Sequence, residues 1–452
     1  MKIIVVGCGK IGVTLISSLV SEGHDVTAID SNPDVISQIT DLYDVMGVCG
    51  NGVDCEVLES ADASDAELLV STTDSDEFNM LSCFLARKLG THHTIARIRS
   101  PQYNDQSLGF MREHLNLSMV INPEYLAAKE LYLLLRLPSA AKIETFSAKN
   151  FEMIELKLKP DSMLNGLSLS ALRSKFTAQF LICAVERENE AYIPDGNFIL
   201  KSGDKIALAA NHSELSRLLK EMGILHKKAR NIMLLGGSRT SYYLTKMLTA
   251  AGNKVTIIER DRSICEDLCD KLPKATIING DAANQELLLE EGLHSLDAFV
   301  TLTGIDEENI LLSSFAATKG VPKVITKINR DELIPLAERW GLDSFVSPKR
   351  AISDLVIRYA RALENSQGSS VESLYKMMDE KVEVLEFIVK PNFPQLNISF
   401  KDLKTKKDTL IAAIMRNRKI IIPSGSDCLM SGDKVIVIAT NQRINNLSDI
   451  LR

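Results

Sequence analysis

The chain has 452 residues, of which 45% are hydrophobic, so it is long enough to fold into two to four domains. Its formal net charge of −7 argues against the basic surface of nucleic-acid-binding proteins, and we expect no nucleic-acid partner. The longest apolar runs, such as Phe180 to Val185, are far shorter than the roughly 18 residues that would span a bilayer.

The chain opens with a predicted strand, a glycine-rich turn and a helix. Ile3 to Val6 form a β-branched run, typical of a parallel strand covered on both faces. The next six residues complete the pattern G-x-G-x-x-G: Gly7, Cys8, Gly9, Lys10, Ile11 and Gly12. In this pattern the first glycine permits a tight turn, the second lets the backbone approach a pyrophosphate, and the third allows the helix to pack on the strand. Since a helix N-terminus also offers unpaired N–H groups, the segment predicts a phosphate site.

The second predicted strand, Asp25 to Ile29, ends at Asp30, which lies 30 − 12 = 18 residues beyond the last glycine. A carboxylate at about this spacing accepts hydrogen bonds from both ribose hydroxyls and repels a 2′-phosphate, so NAD or NADH is favoured over NADP. The same geometry also holds the ribose of ATP or ADP, and these nucleotides stay open. A turn without a ligand is the structural alternative.

Further strands are predicted near Val45 to Cys49, at Leu68 to Ser71 and at His93 to Ile98. Strands that alternate with helices predict a doubly wound parallel α/β sheet, with its ligand crevice at the carboxyl ends of the strands. Polar residues follow those ends, namely Asn51, Thr72, Thr73, Asp74 and Arg97. Hydroxyls and amides suit a ribose and adenine, and an arginine suits a phosphate. For each residue, a turn or capping role is the alternative.

The remaining part of the first half is predicted to hold a long helix and a smaller β-rich α+β lobe. Asn122-Pro123 combines an N-cap residue with proline at the first helical position, and the helix Glu124 to Leu137 is apolar on much of its surface. This apolarity favours a subunit-pairing helix, with packing on its own sheet as the alternative. In the small lobe, Ser202-Gly203-Asp204 is typical of a turn before a buried strand.

The second half of the chain repeats the first. Asn231 to Gly236 matches Lys2 to Gly7 at a shift of 236 − 7 = 229, and Glu259 matches Asp30 at the same shift. The chain is therefore two copies of one two-lobed unit. The two nucleotide-binding lobes, each ending in its pairing helix, are predicted at 1–140 and 227–366. The two small lobes are predicted at 141–226 and 367–452.

The loop of the second copy departs from the glycine pattern. It contains Gly236, Gly237, Ser238, Arg239, Thr240 and Ser241 and keeps only the first of the three glycines. Ser238 stands where a pyrophosphate must pass, and Ser241 stands where the helix must approach the strand. We therefore expect the second site to bind a dinucleotide more weakly than the first. Because Glu259 and Arg239 remain, a preference for a mononucleotide is the alternative.

No metal site and no catalytic site are predicted. The eight cysteines show no CxxC pair, and no histidine accompanies Cys265 and Cys269, which lie one helical turn apart. No Asp-x-Asp-x-Asp-Gly run is present, and none of the seven histidines stands in a motif. An NAD-dependent oxidoreductase is the rival function, but it would need an acid or base in a substrate domain.

The tandem chain contains GCGKIG with Asp30, GNGVD near residue 50, TTDSDEFN near residue 72, IARIR near residue 95 and two SGDK elements. In this arrangement it resembles the peripheral NAD-binding subunits of bacterial Trk potassium-uptake systems. The resemblance covers essentially the whole chain. It implies two joined RCK or KTN modules in a regulatory, non-enzymatic subunit on the cytoplasmic face of a potassium-translocating membrane partner. Because such modules form eight-membered rings, it also implies a homotetramer, 8 / 2 = 4 chains.

The resemblance also implies which residues form the two nucleotide sites. The first would be lined by Gly7, Cys8, Gly9, Lys10, Ile11, Asp30, Asn51, Thr72, Thr73 and Arg97. The second site would be formed by the second loop together with Glu259.

Overall fold

A computed structural model describes residues 1–452 except 104, 147–150, 225–228, 367–370, 379–380, 418, 441–443 and 445. Two compact units are present: residues 1–127 with 347–360, and residues 128–346 with 361–452. Within the described residues, no helix combines the length and the apolarity needed to cross a membrane.

The first copy begins with a parallel sheet flanked by helices. Its strands are β1 (Lys2–Val6), β2 (Asp25–Asp30), β3 (Met46–Cys49), β4 (Leu68–Ser71), β5 (His93–Arg97) and β6 (Met119–Ile121). Its helices are α1 (Lys10–Ser21), α2 (Pro33–Leu42), α3 (Cys55–Ser60), α4 (Asp76–Leu89) and α5 (Asp105–His114). The strand order β3-β2-β1-β4-β5-β6 reverses between β1 and β4. This reversal is where a doubly wound sheet opens its ligand crevice.

Local sequence explains why the crossover helices begin where they do. The side chain of Asn32 accepts a hydrogen bond from Asp34 N at the start of α2, and that of Ser75 accepts one from Phe78 N at the start of α4. Gly90 ends α4 with a φ of 127°, a conformation that L side chains rarely adopt. Caps at both ends therefore fix where α4 begins and where it ends.

A long helix and a small antiparallel sheet follow. The helix is α6 (Pro123–Arg136), and the strands are β7 (Lys142–Thr145), β8 (Phe151–Lys157), β9 (Phe180–Arg187), β10 (Glu190–Tyr192) and β11 (Lys205–Asn211). The helices α7 (Leu169–Lys175) and α8 (His212–Glu221) accompany the sheet. Its strand order is β10-β9-β11-β8-β7. The first small lobe is thus an α+β lobe, as its sequence predicts.

The second copy repeats the large parallel sheet. Its strands are β12 (Asn231–Leu235), β13 (Lys254–Glu259), β14 (Thr276–Asn279), β15 (Ala298–Thr301), β16 (Lys323–Lys327) and β17 (Phe345–Val346). Its helices are α9 (Arg239–Ala250), α10 (Arg262–Lys271), α11 (Gln285–Glu290), α12 (Asp306–Thr318) and α13 (Ile334–Arg339). The order β14-β13-β12-β15-β16-β17 is the order of the first sheet. The predicted tandem fold is confirmed.

The chain ends with a second long helix and a second antiparallel sheet. These are α14 (Pro348–Ser366), followed by β18 (Val371–Met377), β19 (Val382–Ile388), β20 (Thr409–Arg416), β21 (Lys419–Ile421) and β22 (Lys434–Thr440), in the order β18-β19-β22-β20-β21. The two small sheets share one apolar core, in which Phe151 and Met153 from one sheet and Val384 and Ile438 from the other are fully buried. Burial of this surface joins the two small lobes within one chain.

Both long helices are divided between the two compact units. Most of α14 belongs to the unit that contains the first parallel sheet, and the Tyr359 hydroxyl lies 3.1 Å from Nδ1 of His93 at the start of β5. The part of α6 after Ala127 belongs to the unit that contains the second parallel sheet. Pairing between different chains stays a prediction, as do the four domain boundaries.

Candidate functional site

The glycine loop after β1 is held against β2 by Asp30. Gly7 has a φ of 85°, and its N–H donates to Ile29 O at 2.9 Å. The Asp30 carboxylate accepts hydrogen bonds from Cys8 N at 2.7 Å and from Asn32 N at 2.9 Å. Asp30 thus ties the loop before α1 to the turn after β2, at the position where a ribose would meet it.

Burial and the nearby Asp30 carboxylate raise the pKa of the Cys8 thiol to about 12. Cys8 therefore stays protonated at neutral pH, and its buried sulfur lies 3.6 Å from Ile29 O. The residue packs under the loop rather than acting as a nucleophile.

The other two glycines of the loop have different surroundings. A Cβ on Gly9 would meet no atom within 4 Å, so the backbone there faces open space. A Cβ on Gly12 would lie 2.1 Å from Gly7 O, so only glycine lets α1 pack this closely. Gly9 is the N-cap of α1 and no side chain caps the helix there. The first N–H groups of α1, from exposed Lys10 and half-buried Ile11 onward, therefore have no competing side-chain cap when an anion arrives.

The residues predicted at the ends of β4 and β5 lie beside the loop, and two of them, Thr72 and Arg97, form hydrogen bonds beneath it. The Thr72 hydroxyl donates to Gly7 O at 2.8 Å, and Thr72 is buried. Arg97 is also buried, and its Nη1 donates to Thr72 O at 2.9 Å and Thr73 O at 3.1 Å. Burial lowers the pKa of the Arg97 guanidinium below its usual value. These bonds brace the wall of the crevice, and contact of either residue with a ligand stays a prediction.

Asn51 lies at the opposite side of the crevice, in the turn after β3. Its carboxamide oxygen accepts a hydrogen bond from Val53 N at 3.2 Å, and the residue is exposed. Gly50 N donates to Asp30 O at 2.9 Å, so this turn is fixed next to Asp30. Asn51 is thus available for a ligand on the ribose side.

One buried residue that the site prediction did not include organises the wall. Asn79 on α4 is fully buried, and its Oδ1 accepts from Thr73 N at 2.9 Å and Thr73 Oγ1 at 2.7 Å. Its Nδ2 donates to Thr73 O at 3.0 Å and Arg97 O at 2.9 Å. Asn79 therefore joins the carboxyl ends of β4 and β5. The only signal in the sequence is that DEFN and DEEN recur at a shift of 309 − 79 = 230.

The second site keeps the acidic residue and the first turn. Gly236 has a φ of 97°, and Glu259 accepts hydrogen bonds from Gly237 N at 2.6 Å and Asp261 N at 2.8 Å. These two bonds repeat those of Asp30. Asn309 repeats Asn79, since its Nδ2 donates to Lys327 O at 3.0 Å. The two sites therefore share one frame.

The helix start of the second site is different. Ser238 is the N-cap of α9, and its Oγ accepts a hydrogen bond from Ser241 N at 3.3 Å. Arg239 is exposed beside the loop and Thr240 is buried beneath it. A cleft of about 310 Å³ lies at this loop, and its lining includes the carboxylate residues Glu259, Asp261, Asp281 and Glu308. The loop thus satisfies part of its own helix N-terminus and faces an acidic cleft.

Across the described part of the chain, no group of three or more histidine, cysteine, aspartate or glutamate residues could hold a metal ion. All eight cysteines are free thiols.

Comparison with known proteins gives two family matches. The model of the TrkA-N domain matches residues 3–123 and 232–348, and the model of the TrkA-C domain matches residues 153–223 and 384–452. The Trk system potassium uptake protein TrkA of Vibrio alginolyticus is 30% identical over 446 residues, covering 98% of this chain and 96% of that protein. The protein of the same name from Haemophilus influenzae is 29% identical, with the same shares covered.

Solved structures show the same fold at low identity. The GsuK channel bound to NAD has a TM-score of 0.63 at 19% identity, covering 97% of this chain and 77% of that one. GsuK bound to ADP has a TM-score of 0.52 at 15% identity, covering 81% of this chain and 70% of that one. The crystal structure of the GsuK RCK domain has a TM-score of 0.63 at 19% identity, covering 97% of this chain and 92% of that one, so the two-lobed repeat is an architecture already seen in a solved structure.

Proposed function

The chain belongs to the TrkA family of potassium-uptake proteins, and from that membership we propose that it is a nucleotide-binding regulatory subunit that gates a potassium-translocating membrane protein of the Trk type. It would act from the cytoplasmic face of the membrane. In this proposal the chain catalyses no reaction, and nucleotide binding changes how it acts on its partner.

One observation carries the nucleotide part of the proposal. The N-terminus of α1 has no side-chain cap, Gly9 leaves open space above it, and Asp30 lies at the end of the neighbouring strand. Together they provide N–H groups for a pyrophosphate and a carboxylate for a ribose. The GsuK structures with NAD and with ADP support NAD or ADP as the ligand, and NADH and ATP are the related candidates for the same site.

The experiment that tests this proposal is calorimetric titration of the purified chain with NAD, NADH, ATP and ADP in turn. We expect at least one of these nucleotides to bind with a stoichiometry of one tight site per chain. A chain that binds none of the four would contradict the proposal.

The assembly follows from the number of modules. A ring of eight modules needs four chains, so we expect light scattering to give four times the mass of one chain. The two small lobes already share a core within one chain, so ring contacts would come from other surfaces. A stable monomer at micromolar concentration would refute this assembly.

Asn79 offers a test of how the wall shapes the first site. Asn79→Asp keeps the size of the side chain but removes the donors to Thr73 O and Arg97 O, so the wall beside the glycine loop loses its fixed position. We expect the affinity for NADH to fall roughly tenfold.

Asn309→Asp is the matched control, because Asn309 makes the corresponding bonds in the second copy. It should cost a similar amount of stability in urea unfolding and leave the tight NADH site intact. If Asn79→Asp also left NADH affinity unchanged, Asn79 would have no role in positioning the site.

A further inference from the structure

The carbonyl oxygen of the first glycine in each loop is bonded by a hydroxyl, but that hydroxyl comes from different elements in the two copies. In the first copy, Thr72 after β4 donates to Gly7 O at 2.8 Å. In the second copy, Leu302 stands at the position of Thr72, since 302 − 72 = 230, and it has no hydroxyl. There, Ser241 on α9 donates to Gly236 O at 2.5 Å.

Each copy therefore keeps one hydroxyl donor for this carbonyl, because a buried carbonyl without a hydrogen-bond partner costs free energy. Each loop has one donor, which lies on the strand side in the first copy and on the helix side in the second. The side that carries the donor decides which residue the helix can have where it meets the loop. With Thr72 in place, position 12 is free to be glycine, and a Cβ on Gly12 would lie 2.1 Å from Gly7 O and 3.2 Å from Thr72 Oγ1.

Ser241 has the side chain that Gly12 lacks, so α9 packs on its loop through the Ser241 hydroxyl instead of through bare backbone. The same serine donates its N–H to the Ser238 hydroxyl, and the two hydroxyl oxygens lie 3.0 Å apart. The third N–H group of α9 is thereby occupied. In the first copy the aligned N–H, that of Gly12, has no side-chain acceptor from its N-cap Gly9.

We infer that one pair of residues in each copy decides which loop accepts a dinucleotide pyrophosphate. The pair is Thr72 and Gly12 in the first copy, and Ser238 and Ser241 in the second, where it is permitted by Leu302. The inference rests on the proposed function. A pyrophosphate needs the first N–H groups of the helix and open space over the loop. The first copy leaves both available, whereas in the second copy the Ser238 hydroxyl occupies the third N–H group and the Ser238 side chain stands where Gly9 leaves open space.

The test transfers the arrangement of the first copy to the second. In the triple variant Ser238→Gly/Ser241→Gly/Leu302→Thr, the donor moves back to the strand side and the helix N-terminus is uncapped. Calorimetric titration of the full chain with NADH should show one tight site in the wild type. In the variant it should show two tight sites, with dissociation constants within about tenfold of each other. Ser295→Gly, which changes an exposed serine away from the loop, is the control and should keep one tight site.

Two single variants guard against misfolding of the triple variant. Gly9→Ser, at a position where a Cβ meets no atom within 4 Å, should weaken the tight site several-fold while circular dichroism stays that of the wild type. Ser238→Gly alone should tighten the weaker site several-fold.

A folded triple variant that still has one tight site, or a wild type with two equal tight sites, would overturn the inference. A wild type that binds no NADH, NAD, ATP or ADP would overturn the proposed function and the inference together.

Discussion

Replacing Asp30 by alanine is expected to abolish the tight phase of an NADH titration. The carboxylate would accept hydrogen bonds from both ribose hydroxyls, and it already accepts hydrogen bonds from Cys8 N and Asn32 N. Its loss therefore removes the ribose contacts and also releases the glycine loop. Loss of one ionic hydrogen-bond partner costs about 1.5 to 3 kcal/mol, on the order of tenfold to a hundredfold in affinity.

Glu259→Ala is the matched control for this prediction. Glu259 makes the same two bonds to its own loop, through Gly237 N and Asp261 N, so its removal perturbs the backbone in the same way at the other site. It should leave the tight phase nearly unchanged. If Glu259→Ala removed the tight phase and Asp30→Ala did not, the principal site would be the second one.

The second large effect concerns Lys323, the first residue of β16. Lys323 is 4% exposed, and its Nζ donates to Ala140 O and Ser344 Oγ, both at 2.7 Å. Burial lowers the pKa of the ammonium group from 10.5 to about 8, although Asp343 partly opposes this shift. The folded protein thus holds a buried cation at neutral pH with only neutral oxygens in hydrogen-bond contact.

The sign of the pH dependence follows from this lowered pKa. Between pH 8 and pH 10.5 the unfolded chain binds a proton at Lys323 that the folded chain does not, so stability rises with pH. From pH 7 to pH 10, this residue alone should add on the order of 2 to 3 kcal/mol to the free energy of unfolding.

Urea unfolding at several pH values measures this contribution as the difference between the wild type and Lys323→Met. The difference should shift in favour of the wild type as the pH rises from 7 to 10. Lys319→Met, at an exposed lysine just after α12, should show no such trend. A difference between wild type and Lys323→Met that stays constant over this pH range would refute the prediction.

Local patterns in the sequence predicted the frame of the first site. The strand before Gly7, the three glycines and Asp30 lie within 30 consecutive residues, so their spacing alone indicates how they meet. The repeat extended the same frame to Glu259. The predicted strands β1, β2, β4 and β5 are present, with ends within one residue of those expected.

What the sequence did not reveal depends on contacts between distant segments. Thr72 and Arg97 stand at the predicted strand ends, yet the direction of their side chains is set by the Gly7 and Thr73 carbonyls beneath the loop. Asn79 has an ordinary position in an amphipathic helix, and its bonds to two strand ends exist only after the sheet forms. The edge strands β6 and β17 have three and two residues, too few for a periodic pattern.

The small lobes show the same division between local and distant information. The Ser-Gly-Asp turns were recognisable, and Gly203 and Gly432 have φ values of 89° and 87°. The buried Asp204 of the first turn receives two hydrogen bonds from Arg187, each at 2.8 Å. Arg187 lies 17 residues earlier on a neighbouring strand, and no local pattern connects the two residues.

Nucleotide binding at the first site is expected to change potassium flux through a membrane partner. The most direct measurement is potassium flux into liposomes that contain a Trk-type membrane subunit, with this protein added in the presence and absence of NADH, NAD, ATP or ADP. We expect at least one nucleotide to change the flux when the wild-type protein is present, and Asp30→Ala to remove that change. A flux that is the same with and without every one of these nucleotides would contradict the account.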